Sequence, residues 1–219
     1  MNRRNFILGA AAVLMFPSEA FAKTIVRTER SFAKMTVEEA FKDLETIRDS
    51  ALKPEINPAT MPEVIDRDLI LMTDDMTLRE ATKRIIVHHT GTVKDRDMSA
   101  REAHLLHKYE FEWAGIGYHY MIRKNGLIEA GRPESLTGAH AYGHNKDSIG
   151  IALSGNFDIA DPTDAQIESL VKLVAGLKSK YSLSIWEKGV LIGHRDVNDT
   201  KCPGDNLYNM LNYVRNNAV

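Results

Sequence analysis

The segment 84–89, Arg-Ile-Ile-Val-His-His, decides the fold class of this chain. Ile85, Ile86 and Val87 form a short run that is β-branched and apolar at every position, which is typical of a central strand in a sheet covered on both faces. His88 stands where this strand is expected to end. The segment therefore predicts a buried strand with a chemically useful side chain at its carboxyl end.

Strand and helix patterns alternate from this segment to the end of the chain. Ser99 and Thr163 each begin a capping-box sequence, and the Asn-Gly pair at 125–126 is typical of the turn of a hairpin. We expect strands at 85–87, 118–122, 127–130, 149–153 and 190–192, and helices at 99–109, 163–177 and 207–214. This order predicts an α/β domain at 84–219, with a mixed central β-sheet flanked by helices.

Residues 23–83 form a partly helical N-terminal extension in this interpretation. Apolar residues recur at helical spacing within 36–47, and the prolines of 54–62 end that pattern. A short strand is expected at 69–72. Because the helix carries an apolar stripe, we expect the extension to be packed on the domain at 84–219 rather than to be a free linker.

The first 22 residues have the layout of a secretory signal peptide. Residues 1–5 are basic, 6–16 are apolar, and 20–22 read Ala-Phe-Ala, a small-x-small cleavage signal. The apolar run is about half of the roughly 20 residues that span a bilayer, so we expect no stable membrane anchor after the signal is removed. The pair Arg3-Arg4 resembles the twin-arginine export signal; the alternative is an ordinary signal with two chance arginines. Either predicts export to the periplasm or cell envelope, or secretion.

Length, charge and cysteine content exclude several classes of protein. The 219 residues suffice for one substantial core and are too few for two ordinary domains with a linker. A net charge of −2 offers no basic footprint for nucleic acid, so we expect no nucleic-acid partner. A disulfide-stapled domain would carry an even set of cysteines, whereas Cys202 is alone. A lone thiol in an exported protein needs protection by burial or by a metal.

Two histidines and this cysteine form a candidate metal set. His88 and His194 each follow a predicted strand, and Cys202 lies eight residues after His194. Two imidazoles and a thiolate suit Zn²⁺, a borderline-soft ion. Three protein ligands leave a fourth position open for water, which is the arrangement of a catalytic site.

Two other interpretations of this set stay open at the level of spacing. Histidines at strand ends are common, so the set can be coincidental. His89 is a candidate fourth ligand that would close a structural site. However, successive strand residues point to opposite faces, so His88 and His89 should not reach one ion. We therefore favour the open site.

Several collinear blocks of the domain resemble those of one enzyme family. They lie at 86–90, 116–120, 126–132, 138–141, 148–151, 193–197 and 200–204, with Asn145 between the fourth and the fifth. Together they look like the zinc-dependent N-acetylmuramoyl-L-alanine amidases related to phage lysozyme-type amidases and to animal peptidoglycan recognition proteins. The resemblance covers roughly residues 84–215. It implies the type 2 amidase fold of that family and one Zn²⁺ ion as cofactor.

Carried over by position, the resemblance implies zinc ligands at His88, His194 and Cys202, and a catalytic tyrosine at Tyr118. Thr200 stands where the phage branch has a lysine, and it matches the threonine of recognition proteins that have amidase activity. Relatives that only bind cell wall generally lack the cysteine ligand. Cys202 therefore favours an enzyme.

The implied reaction is hydrolysis of the amide bond between the lactyl group of muramic acid and the L-alanine of the peptidoglycan stem peptide. We expect Tyr118 to orient the attacking water or to donate to the substrate oxygen, and Thr200 to hydrogen-bond the tetrahedral intermediate. Candidate substrate contacts are His140, Asn145 and Arg132, each with a structural role as the alternative. No glutamate has an assured place as general base.

Two rival functions stay open. A non-lytic module would bind peptidoglycan or a muropeptide in the same cleft without cleaving it. A zinc amide hydrolase of another kind would act on a different small exported substrate. The sequence leaves the oligomeric state open.

Overall fold

The computed structural model of the chain describes residues 61–67, 69 and 77–218. The expected signal peptide at 1–22 and the helix expected within 36–47 lie outside these residues, as does nearly all of the strand expected at 69–72. Every element given below lies between residues 61 and 218.

A mixed five-stranded sheet forms the centre of the domain. Its strands are β1 (Arg84–His89), β2 (Tyr120–Ile122), β3 (Ile128–Ala130), β4 (Ser148–Leu153) and β5 (Leu191–Gly193). They lie in the order β3-β2-β4-β1-β5. β1 runs parallel to β4 and β5, β2 runs parallel to β4, and β3 is antiparallel to β2. The predicted mixed sheet is thus confirmed, although the strand expected at 118–122 is shorter, because Tyr118 and His119 precede its ladder.

Three α-helices accompany the sheet in the described part of the chain. They are α1 (Ala100–Leu105), α2 (Asp164–Tyr181) and α3 (Asp205–Asn217). Ser99 and Thr163 cap α1 and α2 through the two predicted capping boxes. The helix expected to run to residue 109 changes after α1 into a π-helical turn at Leu106–Glu110. Among the residues described, no helix is long and apolar enough to cross a membrane.

β1 separates two apolar clusters because its side chains alternate between the faces of the sheet. Ile85 and Val87 belong to the larger cluster, which β4 forms with the apolar stripe of α2 and with α3. Ile86 belongs to a smaller cluster with Ile192. The same alternation places His88 on the face of Ile86, away from the layer of α2 and α3.

The segment 61–67 lies beside β3, at one edge of the sheet. Ile65 donates its backbone N–H to the oxygen of Ile128 (2.9 Å), and Ala130 donates its N–H to the oxygen of Ile65 (2.8 Å). Part of the chain that precedes the predicted domain boundary at 84 therefore contributes hydrogen bonds to the sheet itself.

Glu129 on β3 is fully buried and joins three parts of the domain. Its Oε1 accepts from Arg67 Nε (2.9 Å) and Nη2 (2.5 Å), and from Arg123 Nη1 (3.4 Å). Its Oε2 accepts the backbone N–H of Ala100, the first residue of α1 (2.6 Å). One buried carboxylate thus links the segment 61–67, β3 and α1, and its burial is tolerable because every contact is a charged or N–H donor.

The substitution Glu129→Gln should lower the free energy of unfolding by on the order of 3 kcal/mol, because it removes the charge that compensates Arg67 and Arg123. Urea unfolding followed by circular dichroism measures the change. The matched control is Glu80→Gln, which breaks the exposed pair with Lys146 and should cost less than ~1 kcal/mol. If both variants lose the same small amount of unfolding free energy, the buried carboxylate of Glu129 has no special structural role.

Candidate active site

A cleft of about 540 Å³ opens at the carboxyl ends of β1 and β5. The residues that line it include His88, His89, Trp113, Tyr118, His140, Tyr142, Asn145, His194, Asn198, Thr200 and Cys202. Three of these are the predicted metal ligands, and four more are predicted site residues. The cleft therefore gathers most of the candidate chemistry of the sequence in one place.

Parallel pairing brings the two ligand histidines together. Val87 of β1 lies opposite Gly193 of β5, so His88, the next residue of β1, and His194, the residue after β5, lie at the same edge of the sheet. Their ring centroids are 4.5 Å apart. Burial lowers the pKa of both imidazoles, that of His88 strongly and with a further contribution from His194. Both rings are therefore neutral near pH 7 and each has a lone pair to offer.

Cys202 completes the group from the loop that follows β5. Its carbonyl oxygen accepts the N–H of Arg195 (2.9 Å), which folds the loop back on the strand end. Its Sγ lies 3.7 Å from His88 Nδ1 and accepts the backbone N–H of His89 (3.4 Å). The ligand atoms of His88, His194 and Cys202 all lie within 4.8 Å of one another.

This donor set fits zinc. Tetrahedral ligands at ~2.1 Å for nitrogen and ~2.3 Å for sulfur are separated by ~3.6 Å, close to the 3.7 Å between His88 Nδ1 and Cys202 Sγ. Burial raises the pKa of the Cys202 thiol to about 12. A bound cation opposes that rise, because it stabilises the thiolate. The group is thus arranged as three ligands around a common point.

A chain of hydrogen bonds sets the orientation of His88. Ser148 Oγ donates its one proton to the backbone oxygen of His144 (2.6 Å). In its contact with His140 Nε2 (3.4 Å), the same Oγ must therefore act as the acceptor. The proton of His140 then lies on Nε2, and His140 Nδ1 must accept from His88 Nε2 (3.0 Å). The lone pair of His88 is left on Nδ1, the atom that faces Cys202. His140, predicted as a substrate contact, lines the cleft and also contacts a candidate metal ligand.

His89 faces away from the metal group, as strand alternation predicts. Its Nδ1 accepts the backbone N–H of Phe157 (3.2 Å), and the two rings are packed with centroids 6.1 Å apart. Within the part of the chain that the structure describes, His89 is not a member of the metal-competent group. This geometry favours an open, three-ligand site over a closed one.

Tyr118 and Thr200 both line the cleft that contains this group. The Tyr118 ring lies 5.2 Å from that of His88, and burial, with a contribution from Cys202, raises the pKa of its phenol well above the ordinary value. The phenol is therefore a hydrogen-bond donor at neutral pH. Thr200 Oγ1 accepts the N–H of Cys202 (3.2 Å), which leaves its proton to be donated elsewhere.

Asn145 and Arg132 take different positions. Asn145 lines the cleft, and its Oδ1 accepts the backbone N–H groups of His140 and Ala141 (2.9 Å each). Arg132 is buried and does not line the cleft. Its guanidinium donates to three backbone oxygens, those of Gly115, Ile116 and Thr137. The structure therefore brings Asn145 to the site and leaves Arg132 behind its wall, supporting the chain that leads to Tyr118.

Two histidines on the far side of this wall have structural bonds. His104 Nδ1 accepts the N–H of Ile116 (3.3 Å), and His107 Nδ1 accepts the N–H of Gly117 (3.0 Å). The His107 ring also lies 5.4 Å from that of Tyr118. α1 and its π-helical turn thus hold the approach to Tyr118 in place.

The cleft residues without a signal in the sequence analysis include Trp113, Tyr142 and Asn198. Trp113 and Tyr142 are exposed aromatic residues on the rim. Asn198 lies four residues after His194, and only the folded loop shows that it contacts this histidine. A single polar residue in a loop offers no periodicity or motif by which to select it.

The family model of the N-acetylmuramoyl-L-alanine amidases (Amidase_2) matches residues 78–205. The chain belongs to this family. The match includes every residue of the ligand group together with Tyr118 and Thr200. It begins a few residues before the domain boundary predicted at 84.

Relatives of known sequence and structure agree with this membership. The endolysin of Klebsiella phage KP32 is 37% identical over 136 residues, 60% of this chain and 86% of that protein. The endolysin amidase LysCS from Clostridium intestinale superposes with a TM-score of 0.64 at 34% identity, over 73% of this chain and 99% of that one. A mutant of Drosophila PGRP-LB in complex with tracheal cytotoxin gives a TM-score of 0.57 at 26% identity, over 65% and 86%. These matches confirm the predicted fold.

The substitution Cys202→Ser should weaken zinc binding at least ~10-fold, because a hydroxyl does not supply the thiolate that this ion prefers. Competition with a chromophoric chelator measures the affinity. The control is His89→Asn, which alters the neighbouring imidazole outside the group and should keep the affinity of the unchanged chain. If instead the His89 variant loses zinc and the Cys202 variant keeps it, the ligand assignment is wrong.

Proposed function

We propose that this chain is a zinc-dependent N-acetylmuramoyl-L-alanine amidase that hydrolyses the amide bond between the lactyl group of muramic acid and the L-alanine of the stem peptide. The observation that carries the proposal is the group of His88, His194 and Cys202 at the floor of a cleft, beside Tyr118, in a member of this family. This group is complete for a three-ligand catalytic site.

His88 and His194 would hold zinc through neutral imidazole nitrogen, and Cys202 would hold it through sulfur. When bound, zinc supplies a Lewis acid that polarises the scissile carbonyl and makes water nucleophilic at neutral pH. The remaining work belongs to the side chains around it. They orient the amide and supply hydrogen bonds to the oxygen on which negative charge develops.

Tyr118 and Thr200 are the donors placed for that task. The phenol of Tyr118 stays protonated because of its burial. It can therefore donate to the carbonyl oxygen as the carbon becomes tetrahedral, and its affinity for that oxygen rises with the developing charge. The hydroxyl oxygen of Thr200 accepts the N–H of Cys202, so its proton can be donated to the same substrate oxygen.

The shape of the cleft suits a substrate with an extended body. Tyr142 is 89% exposed and Trp113 is 40% exposed, and both aromatic residues line the cleft. Peptidoglycan or a muropeptide offers sugar rings and a peptide on the two sides of the scissile amide. The complex of PGRP-LB with tracheal cytotoxin shows a ligand bound by a structural relative.

We also propose that the enzyme acts outside the cytoplasm. The support is the sequence of residues 1–22, with its basic start, apolar run and small-residue cleavage signal. Peptidoglycan, the substrate of the proposed reaction, lies outside the cytoplasm, where an exported enzyme would meet it.

Digestion of purified peptidoglycan tests the reaction. Mass spectrometry should find free stem peptides that begin with L-alanine, and these should disappear on zinc chelation and return when zinc is added. Intact glycopeptides from a folded, zinc-loaded protein would refute the amidase proposal. Such a result would favour a non-lytic binding module or an amidase of another substrate.

The substitution Tyr118→Phe should lower the turnover rate by about 100-fold or more, because it removes one donor to the developing oxyanion. Zinc content should stay at the level of the unchanged chain. Tyr109→Phe is the matched control, since it removes the same hydroxyl from an exposed tyrosine outside the cleft. Full turnover in the Tyr118 variant would exclude this phenol from the chemistry.

A further inference from the structure

Asn198 lies between a metal ligand and the rim of the cleft. Its Oδ1 is 3.0 Å from His194 Nε2, and its Nδ2 is 3.1 Å from the backbone oxygen of Tyr142. Both the oxygen and the nitrogen of the Asn198 side-chain amide therefore have a hydrogen-bond partner within the protein. Asn198 therefore joins the ligand His194 to the loop that carries Tyr142.

The Tyr142 carbonyl determines which way this amide points. A carbonyl oxygen only accepts, so the amide must place its NH₂ group there and turn Oδ1 towards His194. Oδ1 in turn only accepts, so His194 must carry its proton on Nε2. The lone pair of His194 is then left on Nδ1, the nitrogen on the side of the ring opposite this bond.

His88 reaches the same state by a different route. Its chain through His140 and Ser148 ends on the oxygen of His144, and that of His194 ends on the oxygen of Tyr142. Both carbonyls belong to one loop, residues 140–145, which we call the rim loop. Backbone oxygens of the rim loop therefore fix the tautomer of both candidate ligand histidines.

We propose that Asn198 is a positioning residue of the metal site, which holds His194 in the tautomer that presents Nδ1 to zinc and ties this ligand to the rim loop. The proposal rests on the zinc site of the proposed function. Asn198 touches neither the ion nor the scissile bond in this assignment and acts through His194. Its role differs from those of Tyr118 and Thr200, which act on the substrate.

Loss of Asn198 should weaken zinc binding, because zinc would then have to order the His194 ring itself. Without Asn198, the His194 ring is free to rotate and to carry its proton on either nitrogen, so zinc must select one state from several. Removing the hydrogen-bond partner of a metal-ligating histidine typically costs 10–100-fold in affinity or activity. We expect a loss in that range from Asn198→Ala.

Two variants separate the two ends of the amide. Asn198→Ala removes both contacts, whereas Asn198→Asp keeps an acceptor for His194 Nε2 and loses the donor to the Tyr142 oxygen. The control is Asn206→Ala, because Asn206 Nδ2 donates to the backbone oxygen of Ala160 (3.0 Å) outside the cleft. It also removes an amide that joins two segments, without touching a ligand.

Zinc affinity of the full chain and its variants is measured by chelator competition, with folding checked by circular dichroism. We expect weaker binding by about 10–100-fold in Asn198→Ala, a smaller loss in Asn198→Asp, and unchanged affinity in Asn206→Ala. Equal affinity in Asn198→Ala and the unchanged chain would overturn the proposal. An equal loss in the Asn206 control would overturn it as well, by making the effect one of general stability.

A second measurement does not depend on zinc. Long-range ¹H–¹⁵N NMR of the metal-free chain above the pKa of its histidines reports which ring nitrogen carries the proton. His194 should be protonated on Nε2 in the unchanged chain and should become a mixture in Asn198→Ala. A proton on Nδ1 in the unchanged chain would refute the assignment. Failure of the unchanged chain to bind zinc would instead refute the proposed function, so the two failures are distinguishable.

Discussion

Parallel pairing of β1 with β5 is the interaction on which the site depends. It sets Val87 opposite Gly193, and so two strands that are more than 100 residues apart in the sequence end side by side. β4 holds β1 from the other side over six residue pairs, and the apolar layer of α2 and α3 stabilises all three strands by burial. The paired strands hold His88 and His194 in fixed positions, because His88 belongs to β1 and His194 directly follows β5.

Orientation of the ligands comes from a second layer of contacts rather than from the sheet. Burial keeps both imidazoles neutral, but a neutral imidazole has two tautomers, and only one presents its lone pair to the metal. His140 and Asn198 resolve this choice through bonds that end on backbone oxygens of the rim loop. Asn145 in turn holds two N–H groups of that loop. The rim loop therefore pre-organises the ligand group.

The sequence predicted the sheet, because β-branched runs such as Ile85–Val87 have a local signature. It also selected His88, His194 and Cys202, the three residues that the fold brings together as candidate ligands. Arg132 lies in a family-like block and was a candidate substrate contact, but its partners are backbone oxygens 5 to 17 residues away. Only the folded chain shows where those oxygens point. The same reason prevented the selection of Asn198, since its proposed role depends on a hydrogen bond to the Tyr142 carbonyl that only the folded chain shows.

The position of the segment 61–67 has a consequence for how the domain behaves alone. β3 is the last strand on its side of the five-stranded sheet, and an uncovered outer strand offers unpaired N–H and C=O groups to other molecules. Ile65 occupies two of those groups, and Arg67 neutralises the charge next to them. A domain cut at residue 84, or at the start of the family match at 78, would expose this ladder. Self-association by strand addition is the expected result, so a well-behaved domain has to include the segment 61–67.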